Sequence, residues 1–331
     1  MEIRPEKEVL RVDKLRKGWD VPAVWITTLV GVLISVVAAH LTYLSEKEKN
    51  SVQFNREAEN QLSAFGRQIE VDLAVIQPIV AYFKSSSFVN RVQFQSFCKN
   101  IQYEGYSMKA LSWIPRVPHS LRAQYENEAE NDNVPEYHFT ERQKGKFVTA
   151  GKREEYYPFY YIAPLSKNEV KPGFDLASDP ILQAVLMQSR DSGKMTASAP
   201  IDLLPENNEN NVSFLVVAPI YQGAVNNVAE RREQLKGYIS AVFDVQDIVS
   251  QALFQVDTGV FEIMLHLFDG KVRIYPSLED HSIHEHFKML KMAADFQVEK
   301  DINIAGRRWM CSASRPTDLF VARFGFVNAG H

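Results

Sequence analysis

The chain has little cysteine and lacks the short motifs that mark common catalytic and nucleotide-binding sites. Its 331 residues include only two cysteines, which allow at most one intramolecular disulfide and exclude a disulfide-rich scaffold. Gly-x-Gly-x-x-Gly, Gly-x-x-x-x-Gly-Lys-Ser/Thr, Gly-x-Ser-x-Gly and His-Glu-x-x-His are all missing from the sequence. Because these motifs form phosphate cradles, nucleophile elbows and zinc-hydrolase sites, we do not expect this chain to be an enzyme.

Basic residues are too scattered to suggest a nucleic-acid partner. The formal net charge is -4, whereas nucleic-acid-binding domains usually carry a basic patch. The sequence contains no run of five or more lysines and arginines, so a polybasic tail is also missing. We therefore expect no nucleic acid among the partners.

Long apolar runs are also scarce. The sequence contains a single one, near its start. Residues 21–45 carry no Asp, Glu, Lys or Arg, and a bilayer core needs about 20 apolar residues. This segment is predicted to be a transmembrane helix in contact with membrane lipid. The alternative is a cleaved signal peptide with Val37 and Ala39 before the cleavage site, but the run is longer than a signal-peptide core.

The charges before this run predict its orientation. Residues 1–20 contain six basic side chains: Arg4, Lys7, Arg11, Lys14, Arg16 and Lys17. Lysine and arginine close to a span favour the cytoplasmic side. We therefore predict a single-pass protein of the inner (cell) membrane, with residues 1–20 in the cytoplasm and the large module in the periplasm or outside the cell.

Residues 46–87 have the period of a long amphipathic helix, which we interpret as a stalk. Its apolar positions recur at steps of three and four: Phe54, Ala58, Leu62, Phe65, Ile69, Leu73, Ile76, Val80 and Phe83. Such a stripe fits packing on the chain's own module or pairing with a second copy. We expect a homodimer through this helix, and Pro78 is expected to bend it near its end.

The remaining sequence alternates short helices with strand-like runs, which predicts an α+β fold with antiparallel sheets. The clearest helix is at 178–192, where Ser178 or Asp179 can cap the start, Pro180 suits the first turn and Gly193 ends the helix. Predicted strands cover 108–117, 156–162, 195–204, 212–221, 236–245, 261–268, 272–275, 296–304 and 308–313. Asp269-Gly270 predicts a hairpin turn.

Metal binding and disulfide formation are open alternatives with weak support. His281, His284 and His286 lie beside Asp280 and Glu285, but histidines next to acids in a loop are more often solvated than bound to a metal. Cys98 and Cys311 could form a bridge in an exported compartment, although Cys98 also fits a buried apolar helix face. We predict neither a metal site nor a cofactor.

An aromatic cluster next to an acidic residue is a possible small-molecule pocket. The segment 156–161 contains five aromatic side chains and precedes Gly173-Phe174-Asp175-Leu176 by a short loop. Apolar walls with a few placed polar groups are typical of ligand sites. The alternative is that these aromatics form the core and that Asp175 caps a turn or the following helix.

An ordered set of short motifs over roughly 88–249 resembles the CHASE domain, the cyclases/histidine kinases associated sensory extracellular domain. The matching residues are Ala110-Leu111-Ser112-Trp113-Ile114-Pro115-Arg116-Val117, Arg122, Glu126, Tyr156-Tyr157-Pro158, Tyr161-Ile162, Gly173-Phe174-Asp175-Leu176, Gly193, Ala199-Pro200, Pro219-Ile220-Tyr221, Gly237 and Phe243.

The resemblance implies a long stalk helix followed by two PAS-like subdomains, a membrane-distal one at 88–245 and a membrane-proximal one at 246–318. In that family the distal subdomain binds the ligand. Plant members are cytokinin receptors, and their adenine-contacting aspartate corresponds by motif to Asp175. The ligand-binding residues expected here are Asp175, Phe174, Tyr157, Tyr161, Trp113, Ala197, Ala199 and Leu203, and the ligand is a small molecule whose identity the sequence does not reveal.

CHASE modules are normally followed by a second membrane helix and a cytoplasmic output domain. Residues 319–331 are where such a span would begin, but they are too few to cross a bilayer. We therefore expect that this sequence is either a fragment of a longer receptor or a chain that acts without its own output domain. In a longer receptor, the output domain would be a histidine kinase or a cyclic-di-GMP enzyme. The alternatives are a membrane-anchored periplasmic enzyme and a structural or scaffolding protein without a ligand.

Overall fold

The computed structural model describes residues 20–100, 106–164, 171–201, 212–254, 256, 261, 263–276 and 294–316. The predicted second span and the histidine cluster lie outside these residues. The chain divides into two compact units, residues 1–56 and residues 57–331, and each is described by itself.

Helix α1 (Asp20–Ala74) contains the predicted membrane span. Within the described residues it is the helix that is long and apolar enough to cross a membrane by length and composition. All side chains from 24 to 50 are exposed. The hydroxyls of Thr28, Ser35 and Thr42 donate to helix carbonyls four residues earlier at 2.8–2.9 Å. These three hydroxyls are thus satisfied within the helix, as an apolar surrounding requires.

Helix α1 ends just before Pro78, and α2 (Ile76–Ser85) follows. A proline ring clashes with the carbonyl four residues earlier, which is that of Ala74. The break thus has the cause that the sequence indicated. In the second unit the predicted stripe is largely buried, with Ala58, Leu62 and Phe65 fully so.

Short helices and strands follow the stalk in alternation. The further helices are α3 (Arg91–Asn100), α4 (Arg122–Asn131), α5 (Pro180–Ser192), α6 (Val228–Glu233) and α7 (Val245–Phe254). The strands are β1 (Met108–Pro115), β2 (Val117–Pro118), β3 (Thr140–Gln143), β4 (Lys146–Thr149), β5 (Glu155–Tyr156), β6 (Tyr161–Ala163), β7 (Thr196–Ala197), β8 (Ser213–Tyr221), β9 (Leu235–Asp244), β10 (Met264–Asp269), β11 (Val272–Tyr275), β12 (Ala294–Ile304) and β13 (Arg307–Pro316). The predicted α+β class with antiparallel sheets is confirmed.

A five-stranded antiparallel sheet with the order β6-β1-β9-β8-β7 holds the larger core. Its inner strands are buried on both faces, so β8 reads as an almost continuous apolar run. Helix α5 packs on one face, where Ala110 and Ile114 join its cluster. Trp113 points to the other face because successive strand residues alternate, and its ring meets Phe83 of α2 at 4.7 Å between centroids.

A four-stranded sheet with the order β11-β10-β13-β12 forms a second layer. Its first hairpin turns at the predicted Asp269-Gly270, where Gly270 has a φ of 60°. The two sheets touch through Phe214 and Trp309, whose rings are 5.0 Å apart. The boundary between a distal and a proximal subdomain at 245/246 stays a prediction, although the two sheets lie on its two sides in sequence.

Several predicted strands are shorter in the structure than in the sequence analysis. The run 156–162 is split into β5 and β6, because Pro158 lacks the N–H that a continuous ladder needs. The run 195–204 is reduced to β7 and an isolated bridge between Ile201 and Ser213. The strand predicted from 261 begins at Met264.

Neither cysteine forms a disulfide. Cys98 in α3 is 1% exposed and Cys311 in β13 is fully buried. The disulfide alternative is therefore not realised, and both thiols behave as small apolar core groups.

Candidate functional site

A cavity of about 430 Å³ lies beside α5 on its face of the five-stranded sheet. We call it the α5 cavity. Its charged lining residues are Arg153, Glu154, Glu155 and Arg190. Its apolar and aromatic walls include Tyr157, Leu186, Met187 and Tyr238. Pockets of 300–1,000 Å³ with apolar walls and a few polar groups are typical of small-molecule sites.

The side chains from α5 reach the cavity because of the helix period. Gln183, Leu186, Met187 and Arg190 line it, at spacings of three, one and three residues, which place them on one helix face. The helix start is firmly held, since the Asp179 carboxylate accepts from the backbone N–H groups of Ile181 and Leu182 at 2.8 and 3.1 Å. The predicted cap thus positions this wall of the cavity.

Asp175 is fully buried and its carboxylate is already bonded. Its Oδ1 accepts from the backbone N–H groups of Tyr157 at 2.8 Å and Ala177 at 3.2 Å. Its Oδ2 accepts from the Arg153 Nη1 at 2.5 Å. Burial raises the pKa of Asp175, while these donors oppose that rise. In this structure the carboxylate therefore caps a short turn, as in the second interpretation of the sequence, and it also pairs with Arg153.

The loop that carries Asp175 is fixed by close backbone contact. Gly173 has a φ of 81°, and a Cβ there would lie 2.1 Å from the carbonyl oxygen of His138. Thr140 donates its N–H to the Gly173 carbonyl and accepts from the Asp175 N–H, both at 2.8 Å. Only glycine fits this position, because a side chain would meet both steric and backbone strain.

Arg153 bridges two carboxylates at the inner end of the α5 cavity. It binds Asp175 through Nη1 and Glu141 through Nη2. Next to it, Glu155 accepts from the Tyr157 hydroxyl and from the Arg116 Nε, both at 2.6 Å. Burial raises the pKa of the Tyr157 hydroxyl, and the hydrogen bond to Glu155 raises it further. The inner carboxylates thus have partners within the protein.

A second cavity of about 300 Å³ lies at the other face of the sheet, near the end of α2. Its walls include Phe83, Trp113, Tyr160 and Tyr161. Trp113 and Tyr161 are register partners in β1 and β6, and therefore point to the same face. We call this space the α2 cavity.

The structure does not bring the predicted site residues together in one cavity. Tyr157 lines the α5 cavity, whereas Trp113 and Tyr161 line the α2 cavity. Phe174 is a buried core residue whose ring lies 5.6 Å from that of Phe147. Asp175 faces Arg153.

Two predicted residues near β7, Ala197 and Ala199, belong to neither cavity lining. Ala197 is buried in β7 and donates its N–H to Ala305 at 3.1 Å. Ala199 is half-buried just after that strand, and Leu203 lies outside the described residues. A ligand-binding role for the set as a whole stays a prediction.

Sequence reasoning missed Arg153, Glu155, Arg190 and Tyr238 as lining residues. None of these four residues belongs to the candidate site that the sequence predicts. The spacing of Gln183, Leu186 and Arg190 along α5 could have indicated a shared face. Among the described residues, no group of histidine, cysteine and acidic side chains could hold a metal ion.

The sequence matches the family of the CHASE domain over residues 87–278, more than half of the chain. The chain belongs to the CHASE domain family. The recognition made from the motifs is thus confirmed, together with the PAS-like sensory fold that it implied. One apolar N-terminal helix that could span a membrane accompanies this sensory domain of the extracellular type.

Curated relatives of this CHASE protein are histidine kinases. Hybrid signal transduction histidine kinase A of Dictyostelium discoideum is 24% identical over 314 residues, which are 88% of this chain and 14% of that protein. Probable histidine kinase 5 of Oryza sativa subsp. japonica is 22% identical over 280 residues, 80% of this chain and 23% of that protein. The chain thus spans less than a quarter of the length of either relative.

Solved structures of similar architecture are sensory domains of receptors. The periplasmic sensory domain of the Campylobacter jejuni chemoreceptor Tlp1 aligns with a TM-score of 0.46 at 13% identity, covering 84% of this chain and 98% of that one. The ligand-binding domain of the Pseudomonas aeruginosa amino acid chemoreceptor PctB, in complex with L-Arg, aligns with a TM-score of 0.47 at 12% identity, covering 82% and 97%.

Proposed function

We propose that this chain is the extracytoplasmic ligand-sensing region of a transmembrane signalling receptor, and that a small molecule binds in the α5 cavity. The observation that carries the proposal is this cavity within a CHASE domain. Its volume of about 430 Å³ suits a small organic molecule. Tyr157, Leu186 and Tyr238 supply apolar walls, and Arg153 and Arg190 supply charge.

In this proposal the helix α1 anchors the receptor and passes on the signal. Its basic flank at 1–20 favours a cytoplasmic N-terminus, so the CHASE module lies in the periplasm or outside the cell. The ligand binds one packing arrangement of the module better than another and shifts the population of the two. Two copies pair through the stalk, and the module comprises a distal part at 88–245 and a proximal part at 246–318.

The output is proposed to be a cytoplasmic module such as a histidine kinase or a cyclic-di-GMP enzyme. Support comes from the relatives, which are named histidine kinases and of which this chain matches 14% and 23%. Their remaining length leaves room for an output domain. In the proposal, this chain senses and catalysis belongs to that domain.

The test is a thermal-shift screen of the full chain in detergent against purines, amino acids and organic acids. A ligand that binds the folded state raises the melting temperature. Met187→Trp should abolish the shift because Met187 lines the cavity, whereas Ile181→Trp is the control because Ile181 is a similarly exposed α5 residue outside the lining. Turnover of a hit would support the anchored enzyme instead, and a screen without any hit would contradict ligand sensing.

A further inference from the structure

We propose that the ligand of the α5 cavity carries an anionic group, such as a carboxylate, and that the terminal nitrogens of Arg190 bind it. This inference rests on the proposed function and specifies the ligand class. It differs from the expectation attached to Asp175, in which a carboxylate of the protein accepts from N–H donors of the ligand.

The inner carboxylates already have hydrogen-bond partners within the protein. Asp175 is fully buried and accepts from two backbone N–H groups and from Arg153. In Glu155, each carboxylate oxygen already accepts one strong hydrogen bond. At Asp175, a ligand with N–H donors would have to displace these partners, which would leave buried charge unpaired. The Glu155 side chain is 32% exposed, so water partly screens its charge. Glu154 is exposed at the cavity, where water and salt screen its charge.

Arg190 is a charged lining residue whose two terminal nitrogens are free to bind a ligand. Its Nε donates to the Asp191 carboxylate at 2.8 Å, and within the described residues its two terminal nitrogens form no hydrogen bond. Its side chain is 16% exposed, so these nitrogens are held in a partly desolvated place. A guanidinium edge of this kind matches a carboxylate in two parallel hydrogen bonds.

The surroundings of Arg190 are positively charged. Asp191 is shared, since Arg232 also donates to it, at 3.0 and 2.5 Å. Arg231 donates to the Asp191 backbone carbonyl. Arg190 and Arg232 thus both bind the Asp191 carboxylate, whose pKa they hold well below its usual range. The excess positive charge at this end of the cavity favours an anion.

The rest of the ligand must be apolar to fit the walls. The hydroxyl of Tyr157 is bonded to Glu155, and that of Tyr238 donates to the Leu186 carbonyl at 2.8 Å. Both side chains therefore offer mainly their rings to the cavity, next to the Leu186 side chain. An anion with an aromatic or aliphatic body satisfies the charged end and the apolar walls together.

The experiment compares carboxylates with their uncharged amides on the full chain in detergent. The probes are 3-phenylpropionate and hexanoate against 3-phenylpropionamide and hexanamide, measured by thermal shift and calorimetry. We expect the carboxylates to bind roughly 10- to 100-fold more tightly than the amides, because a charge-assisted bond is lost. Arg190→Gln should remove this preference, and Arg190→Lys should keep part of it.

Arg232→Gln is the matched control, because Arg232 also binds Asp191 but does not line the cavity. It should change carboxylate affinity by no more than about 3-fold, as expected for an exposed ion pair. Equal binding of amides, or equal effects of the two Gln variants, overturns the proposal. If purines or cations bind and carboxylates do not, the anionic ligand class is wrong but ligand sensing still stands. If a broad screen finds no ligand at all, both proposals are contradicted.

Discussion

The buried ion pair of Asp175 provides the sharpest test of how this site is built. Asp175→Asn keeps the size of the side chain and one carbonyl oxygen. That oxygen can still accept from Tyr157 and Ala177, as the Asp175 Oδ1 does now. The amide nitrogen, however, would face the Arg153 Nη1 at the present distance of 2.5 Å. Two donors would then point at each other in a fully buried place.

The size of the effect follows from burial. Removing one partner of a buried ion pair costs about 3–5 kcal/mol. The Arg153 side chain is 29% exposed and can turn partly toward water, so we expect the lower end, about 3 kcal/mol. Asp191→Asn is the matched control, because this aspartate also pairs with arginines but is 29% exposed. Asp191→Asn should lower the free energy of unfolding by no more than about 1 kcal/mol.

Urea unfolding of the full chain in detergent, without added ligand, measures both variants. Asp175→Asn should lower the midpoint strongly at an unchanged slope. In the double variant with Arg153→Gln the loss should be smaller than the sum of the two single losses, because the two groups are in contact. If Asp175→Asn costs no more than Asp191→Asn, the carboxylate is not the structural group that its contacts indicate.

Three further predictions concern positions away from the ligand. Gly173→Ala should cost several kcal/mol by urea unfolding, since its Cβ would lie 2.1 Å from a carbonyl oxygen, whereas Gly270→Ala, with open space around it, should cost about 1 kcal/mol. Burial raises the pKa of Asp244, so the folded protein binds the Asp244 proton more tightly than the unfolded chain does. The stability that this proton contributes is lost as pH rises through the folded-state pKa. Asp244→Asn should therefore be about 1–3 kcal/mol more stable than wild type at pH 7, and this gain should shrink toward pH 4. Cys98 and Cys311 should resist a thiol reagent in the native protein and both react in urea, because both are buried and burial raises the Cys311 pKa to about 12.

Locally encoded features were predictable from the sequence. The helix α5 begins after the Asp179 cap and ends at Gly193, which has a φ of 71°. The hairpin at Asp269-Gly270 is equally local. In both cases the chemistry of a few neighbouring residues decides the conformation, so no knowledge of the remaining chain is needed.

The grouping of aromatics around the cavities was not predictable. Seven of the eight residues of β1 are buried, so the strand has no polar face that would reveal which way Trp113 points. Its direction depends on the register with β6 and on the approach of α2, which are tertiary facts. Tyr157 and Trp113 consequently lie on opposite faces, although the sequence analysis placed them in one pocket.

The position of Asp175 explains why a motif can mark a sensory family without naming its ligand. Gly173 is required by the close approach of His138, and Asp175 ties two backbone N–H groups to Arg153. Folding alone therefore accounts for both residues. Open, positively charged donors of the cavity belong instead to Arg190, on a helix face that the motif does not include. Since a ligand is selected by groups that remain unpaired in its absence, the proposed site predicts that the α5 wall decides the choice of ligand.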